Sequence, residues 1–200
     1  MRALVMAATL VSSAALANAE DRTVPAFSSV HISAGMHATV TVGPQKPVHL
    51  EATAEVLALV ETVVEDGALE VRFKRHSDWH GDHRVNLTIQ TPQLHAVGAS
   101  GGSIVDAALT KADRSSIQAS GGSEIRVRGV DAPQLSGGSQ LHGRDFSARD
   151  AEVQGSGGSQ AELRVSGNLK GGLSGGSQLH VTGGASARVA TSGGSGVFND

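Results

Sequence analysis

The sequence predicts an all-β chain wound as a parallel β-helix, a solenoid of short stacked strands, and three observations carry that expectation. The tetrapeptide Ser-Gly-Gly-Ser begins at Ser100, Ser120, Ser136, Ser156, Ser174 and Ser192, at spacings of 20, 16, 20, 18 and 18 residues. Repetition at such a period marks repeat architectures, in which one unit cannot bury its apolar face alone and stacks on its neighbours. Two residues after each closing serine stands an apolar residue, in order Val105, Ile125, Leu141, Ala161, Leu179 and Val197. Finally, Gly supplies 26 of the 200 residues while aromatics make up 2%. The core must therefore be built from small aliphatic side chains, and the glycines must serve backbone geometry.

The first residues read as a secretory signal peptide. Arg2 gives the positive end, residues 3–17 form an apolar and small run, and Ala17-Asn18-Ala19 is an A-x-A cleavage site. The run is short of the ~20 residues that a membrane span needs. The expected division is a signal peptide over residues 1–19 and one domain over 20–200. Within it, residues 24–93 form N-terminal strands and a hairpin, and residues 94–200 hold the repeats.

Between residues 24 and 93 the text reads mainly as strands. Residues 36–42 (MHATVTV) and 84–91 (RVNLTIQT) alternate apolar and polar, the period of a half-buried strand. Residues 48–53 form another strand, framed by Pro44 and Pro47 on one side. Residues 54–60 (AEVLALV) have helical spacing and suit one turn of helix. Residues 61–73 read as a hairpin about Asp66-Gly67, a dipeptide that tolerates the positive φ of a tight turn.

From residue 94 the repeat governs. Two positions beyond the first apolar column lie Ala107, Val127, Gly143, Leu163, Val181 and Asn199. Just before the motif lie Val97, Ile117, Leu135, Val153, Leu173 and Val189. The residues between are polar, including Gln140, His142, Glu162, Arg164, Gln178 and His180. Gly in ordered structure costs ~0.5–1 kcal/mol relative to Ala, so the glycine pair is expected to make a bend. An unbroken strand through the motif, with the second serine and first glycine inward, also fits the parity. Smaller bends are expected at Ser166-Gly167-Asn168 and Thr182-Gly183-Gly184.

A formal net charge of -3 provides no basic field, which argues against nucleic-acid binding. The absence of Cys excludes disulfides, thiolate metal sites and a Cys nucleophile. The densest chemical cluster is His76, Asp78, His80, Asp82 and His83, whose imidazoles and carboxylates suit zinc or copper in one loop. The competing reading is a solvated loop. Calcium is disfavoured, because Gln140, Gln160 and Gln178 stand where a calcium-binding roll needs a carboxylate ladder. A glycan-active enzyme would need two carboxylates across a bond. Asp145, Asp150, Glu152 and Glu162, near Arg144, Arg149 and Arg164, are the candidates, and no motif places a Ser nucleophile.

With Phe27, Val30, Ile32 and Gly35 at its opening, Asp66-Gly67 in a hairpin, Pro92 after a strand and glycine-rich copies at its close, the chain resembles the head GIN domain family of adhesin-like proteins. The resemblance rests on Phe27, Val30, Ile32, Gly35, Val40, Val42 and Gly43 in an opening motif, then Val48 and Ala52 in a strand. It continues with Asp66, Gly67, Leu69 and Val71 in a hairpin, Leu87, Ile89, Pro92 and Leu94 in a further strand, and the closing glycine-rich repeats. It implies a right-handed parallel β-helix with a strand-rich N-terminal portion. The family's Gly-Ser-Gly-Asp is here Gly-Gly-Ser followed by Ile, Glu, Gln or Gly, so the acidic residue is mostly lost. The expected function is a non-enzymatic binding or adhesion role toward a cell-envelope or extracellular component, a glycan among the candidates. A periplasmic or secreted location, and either a short, polar final rung or self-association at the last copy, complete the expectation. The alternatives are the glycan-active enzyme and the metal-binding loop at residues 76–83.

Overall fold

The structure, a computed structural model, describes residues 18–74, 84–110, 116–128, 140–148, 151–155 and 157–200. The expected signal peptide before residue 18 and all of His76, Asp78, His80, Asp82 and His83 lie outside the described residues. The elements are β1 (Asn18–Arg22), β2 (Ser29–Ile32), β3 (His37–Val42), β4 (Val48–Ala52), α1 (Ala54–Leu59), β5 (Val60–Glu65), β6 (Ala68–Phe73), β7 (Asn86–Thr91) and β8 (Ala96–Ala99). There follow β9 (Ile104–Ala108), β10 (Ser116–Ala119), β11 (Glu124–Arg128), β12 (Gln140–Ala148), β13 (Ala151–Gly155) and β14 (Gln160–Val165). The last are β15 (Asn168–Leu173), β16 (Gln178–Thr182), β17 (Ser186–Thr191) and β18 (Gly196–Asn199).

The chain is all-β, but the right-handed parallel β-helix expected from the repeat is not what it forms. The strands divide among three sheets, of ten (β1-β4-β7-β3-β9-β11-β12-β14-β16-β18), five (β10-β8-β2-β6-β5) and three strands (β13-β15-β17), and none closes on itself. The pairing is mixed: β1–β4, β4–β7 and β5–β6 are antiparallel. The reason lies in the connections. A parallel neighbour needs a crossover of about a dozen residues or more. Only residues 43–47, with Pro44 and Pro47, separate β3 from β4, so the chain reverses there. Asp66-Gly67 turns β5 into β6 as a hairpin, with φ of 49° and 75° at the two residues.

Successive repeat copies do pair in parallel, in register from their first residues, with one bulge in β12 between Gly143 and Ser147. The strands that follow the six closing serines are β9, β11, β12, β14, β16 and β18, and they are consecutive neighbours in the large sheet. The apolar residue of each copy falls on that of the next: Val105 opposite Ile125, Ile125 opposite Leu141, then Ala161, Leu179 and Val197. From Val105 to Leu179 this column is buried, and Val197 is partly buried at its end. Leu163 and Val181 continue a second buried column. Each fully buried aliphatic of this kind contributes roughly 1.5–3 kcal/mol.

The Ser-Gly-Gly-Ser segments are bends, and they also hold the feature expected of an unbroken strand. In the five copies with described glycines, the first has φ between 61° and 68° and the second between 77° and 82°. Positive φ at both central residues is the signature of a type I′ turn, which glycine adopts without steric cost. The closing serine nevertheless points inward, and Ser103, Ser123, Ser159 and Ser177 are buried. Buried hydroxyls need partners. Ser103 Oγ donates to Ser100 O at 2.8 Å, and Ser177 Oγ donates to Ser174 O at 2.7 Å. Ser123 Oγ accepts from the Ser120 N–H at 3.1 Å and lies 2.9 Å from Ala99 O in the preceding copy.

Besides the five described glycine-pair turns, another of this kind is hidden in the opening motif. Ala34 and Gly35 join β2 to β3 with φ of 63° and 77°. The Ala34 N–H donates to Ser100 O at 3.2 Å, which stacks this turn on the first repeat copy. Ser33-Ala34-Gly35-Met36 is thus a divergent copy in which Met36 takes the buried place of the closing serine.

At the N-terminal end α1 connects β4 of the ten-stranded sheet to β5, the edge strand of the five-stranded sheet. Thr53 caps α1, its Oγ1 accepting from the Val56 N–H at 3.4 Å. Val56 and Leu57 are buried beneath it. Arg22 of β1 donates to Leu57 O at 2.9 Å, Val60 O at 2.8 Å and Thr62 Oγ1 at 3.0 Å, which binds the edge strand to the end of the helix. The expected cleavage after Ala19 falls inside β1 and leaves Arg22 on the mature side.

Candidate binding surface

In a strand, alternate residues face opposite sides, and residues in register on neighbouring strands form a row across the sheet. On the outer face of the ten-stranded sheet one row runs unbroken through all ten strands. It reads Asp21, His49, Thr88, Thr39, Asp106, Arg126, His142, Glu162, His180 and Phe198. All ten are exposed or half-buried. Eight of them belong to residue types that are charged or become charged on protonation or are aromatic, against the two threonines.

The charges are arranged in complementary order. His49 Nδ1 lies 2.7 Å from Asp21 Oδ1, and its Nε2 lies 3.5 Å from Glu51 Oε1. The hydrogen bond to Asp21 raises the pKa of His49 above its ordinary 6.5, against a smaller opposing effect of desolvation, and the charges of Asp21 and Glu51 add to the rise. In the middle of the sheet, Arg126 reaches Glu124 at 2.7 Å on its own strand and Asp106 at 3.6 Å on β9. His142 Nε2 lies 3.4 Å from the same Glu124 carboxylate. At the far end the rings of His180 and Phe198 stack with centroids 4.8 Å apart and planes 16° from parallel.

A second row lies beside the first. Gln140, Gln160 and Gln178 stand in register on β12, β14 and β16, all exposed. Three stacked amides present a regular array of donors and acceptors. Together the rows make a polar face with an aromatic end, suited to recognition by many weak, directional contacts.

The described residues considered for catalysis are spread over two sheets. Glu162 lies in the ten-stranded sheet, whereas Glu152 belongs to β13 of the three-stranded sheet. Arg144 and Asp145 fall in β12, Arg164 follows Glu162 on β14, and Arg149 and Asp150 lie outside the described residues. Among the described residues no group of three His, Asp or Glu side chains is arranged to hold a metal ion. Sequence patterning exposes the C-terminal half of the row, since His142, Glu162 and His180 occupy matched positions in their copies. Asp21, His49, Thr88 and Thr39 carry no such mark, because β1, β4, β7 and β3 lie outside the repeat and the row through them exists only once the strands pair.

Among the described residues no helix is long and apolar enough to cross a membrane. No curated protein sequence matches the chain. A crystal structure described as a putative adhesin from Bacteroides fragilis NCTC 9343 is similar in fold, with TM-score 0.72, 13% identity and coverage of 92% of this chain and 97% of that one. Another, described as a putative lipid binding protein from Parabacteroides distasonis ATCC 8503, has TM-score 0.51, 12% identity and coverage of 92% and 96%. A family model described as "Putative auto-transporter adhesin, head GIN domain" matches residues 26–185. That span holds the opening motif, the hairpin and five of the six Ser-Gly-Gly-Ser copies, and the chain belongs to the head GIN domain family.

Proposed function

We propose that the protein is a non-enzymatic binding module acting outside the cytoplasm, and that it contacts a cell-envelope or extracellular component through the outer face of the ten-stranded sheet. The observation that carries this reading is the unbroken row from Asp21 to Phe198, in which polar and aromatic side chains are held in register by every strand of the sheet. An adhesive contact gains affinity from an extended, ordered surface whose side chains are already positioned, because less conformational freedom is lost on binding. Membership of an adhesin-like family supports the same reading.

A screen of the chain against envelope fractions and immobilised glycans tests it. Binding is expected to fall when Arg126, His142 and His180 are together replaced by Ala. It is expected to persist when His31 and Gln118, on the outer face of the five-stranded sheet, are replaced instead. Equal loss from both sets, or measurable turnover of a bound glycan, sinks the proposal.

A further inference from the structure

β18 is the last strand of the ten-stranded sheet, and among the described residues no strand lies on its other side. The Gly196 N–H donates to Ser177 O at 3.0 Å and the Asp200 N–H donates to Val181 O at 3.0 Å. Even-numbered residues of this strand therefore turn their backbone groups toward β16, and Val197 and Asn199 turn theirs toward the free side. The same edge exposes apolar surface. Val197 ends the buried aliphatic column and is only partly covered, and Phe198 is 49% exposed in a chain with 2% aromatic residues.

The sequence Gly196-Val197-Phe198 is self-complementary about its middle residue. Laid antiparallel against a second copy with Val197 opposite Val197, the two valines exchange both backbone hydrogen bonds, because Val197 is the residue whose N–H and C=O are free. Gly196 of each copy then stands opposite Phe198 of the other, in the closer, non-hydrogen-bonded pairing where side chains approach most nearly. An aromatic ring over a cross-strand glycine fills the space that the glycine leaves and shields its backbone. Within one copy the Phe198 ring lies over Gly196 of its own strand, with ring carbons 3.3 and 3.4 Å from where a Cβ would stand, and stacks on His180, so it is held on the outer face of the edge. Each contact made by one copy is returned by the other, as a two-fold interface requires.

We propose that the free edge of β18 is the interface between two copies of this chain, paired antiparallel about a two-fold axis through Val197. The aliphatic column is then closed at both copies, and the polar rows of the two outer faces meet at their Phe198 ends.

Sedimentation of the full chain over a wide concentration range tests this, combined with hydrogen exchange at single amides. A monomer–dimer equilibrium is expected. The Val197 and Asn199 amides should exchange slowly in the dimer and fast on dilution. Val197→Lys should give a monomer, because a charge on an edge strand blocks pairing, with any loss of packing at the end of the aliphatic column read separately by circular dichroism. Phe198→Ala alters an exposed side chain that the fold does not need, and should weaken dimerisation about tenfold. A chain that stays monomeric throughout overturns the proposal, as does a dimer that neither substitution affects. Slow exchange of Val197 in the dilute monomer also overturns it, since another segment of the same chain would then cover the edge.

Discussion

The Cβ that Gly175 lacks would fall 2.9 Å from the backbone nitrogen of Gly157, the equivalent residue one copy earlier. Gly193 stands in the same relation to Gly175, at 3.0 Å, and Gly121 to Gly101, at 3.1 Å. The second glycine of each pair is different: a Cβ on Gly176 or Gly194 meets nothing within 4 Å. Both positions need positive φ, but only the first also needs the missing side chain for close stacking.

Two substitutions separate these causes. Gly176→Ala should cost about 1–2 kcal/mol, the penalty of a left-handed conformation for an L-residue. Gly175→Ala should cost more, because it adds a backbone clash that only a shift between copies relieves. Urea unfolding of both variants checks the order, and equal losses would mean that the stacking of turns is not tight.

Ser123→Ala should destabilise by about 1–3 kcal/mol, since it leaves buried polar groups without their partner. Ser195→Ala, at a partly exposed turn where Ser195 Oγ donates to Ser192 O at 2.8 Å, should cost less because water can replace the hydroxyl. Thermal melting of the two variants measures the difference.

His49 makes stability depend on pH with a definite sign. Its folded pKa lies above the ordinary 6.5 because of Asp21 and Glu51. The stabilising contribution is therefore fully present below about that ordinary value, and it is lost as pH rises through the folded pKa. Asp21→Asn should bring the titration of His49 back toward the ordinary value and flatten this part of the profile. Titration of the imidazole followed by NMR reads the shift directly, and an unchanged midpoint in Asp21→Asn would show that the pair does not form in solution.

Arg22→Ala should loosen β1 and the end of α1 together. The guanidinium satisfies Leu57 O and Val60 O, and hydrogen bonds to charged groups contribute roughly 1.5–3 kcal/mol. Faster amide exchange confined to β1, α1 and β5 is the expected pattern, with the repeat copies unaffected.

Much of the local structure was legible in the chain. Asp66-Gly67 announced its hairpin, residues 54–60 their helical turn, and the residue two after each closing serine its buried column. The global arrangement was less so. A repeat period states that copies stack, but the direction of β1, β4 and β5 is set by short connections outside the repeat, and those made the sheets mixed. The closing serine was the subtler case. Bend and inward side chain looked like alternatives on parity alone, yet a type I′ turn supplies both, because its last residue re-enters the strand facing the core. Only half of the candidate surface could be read in advance. Periodicity aligned His142 with His180, whereas Asp21 and His49 are 28 residues apart and meet through an antiparallel pairing that no repeat encodes.

The spacings of the copies vary from 16 to 20 residues, yet the strands that follow the closing serines start in register, and β12 carries a bulge only after Gly143. One length difference is therefore absorbed within a strand, beyond the row residue His142, so the serine turns and the surface row keep their places. This partition gives the molecule two independent freedoms. Residues can be gained or lost beyond the row position without shifting the surface row, and the row can change its chemistry without disturbing the turns. A family built this way can diversify what it touches while the scaffold that presents it stays constant.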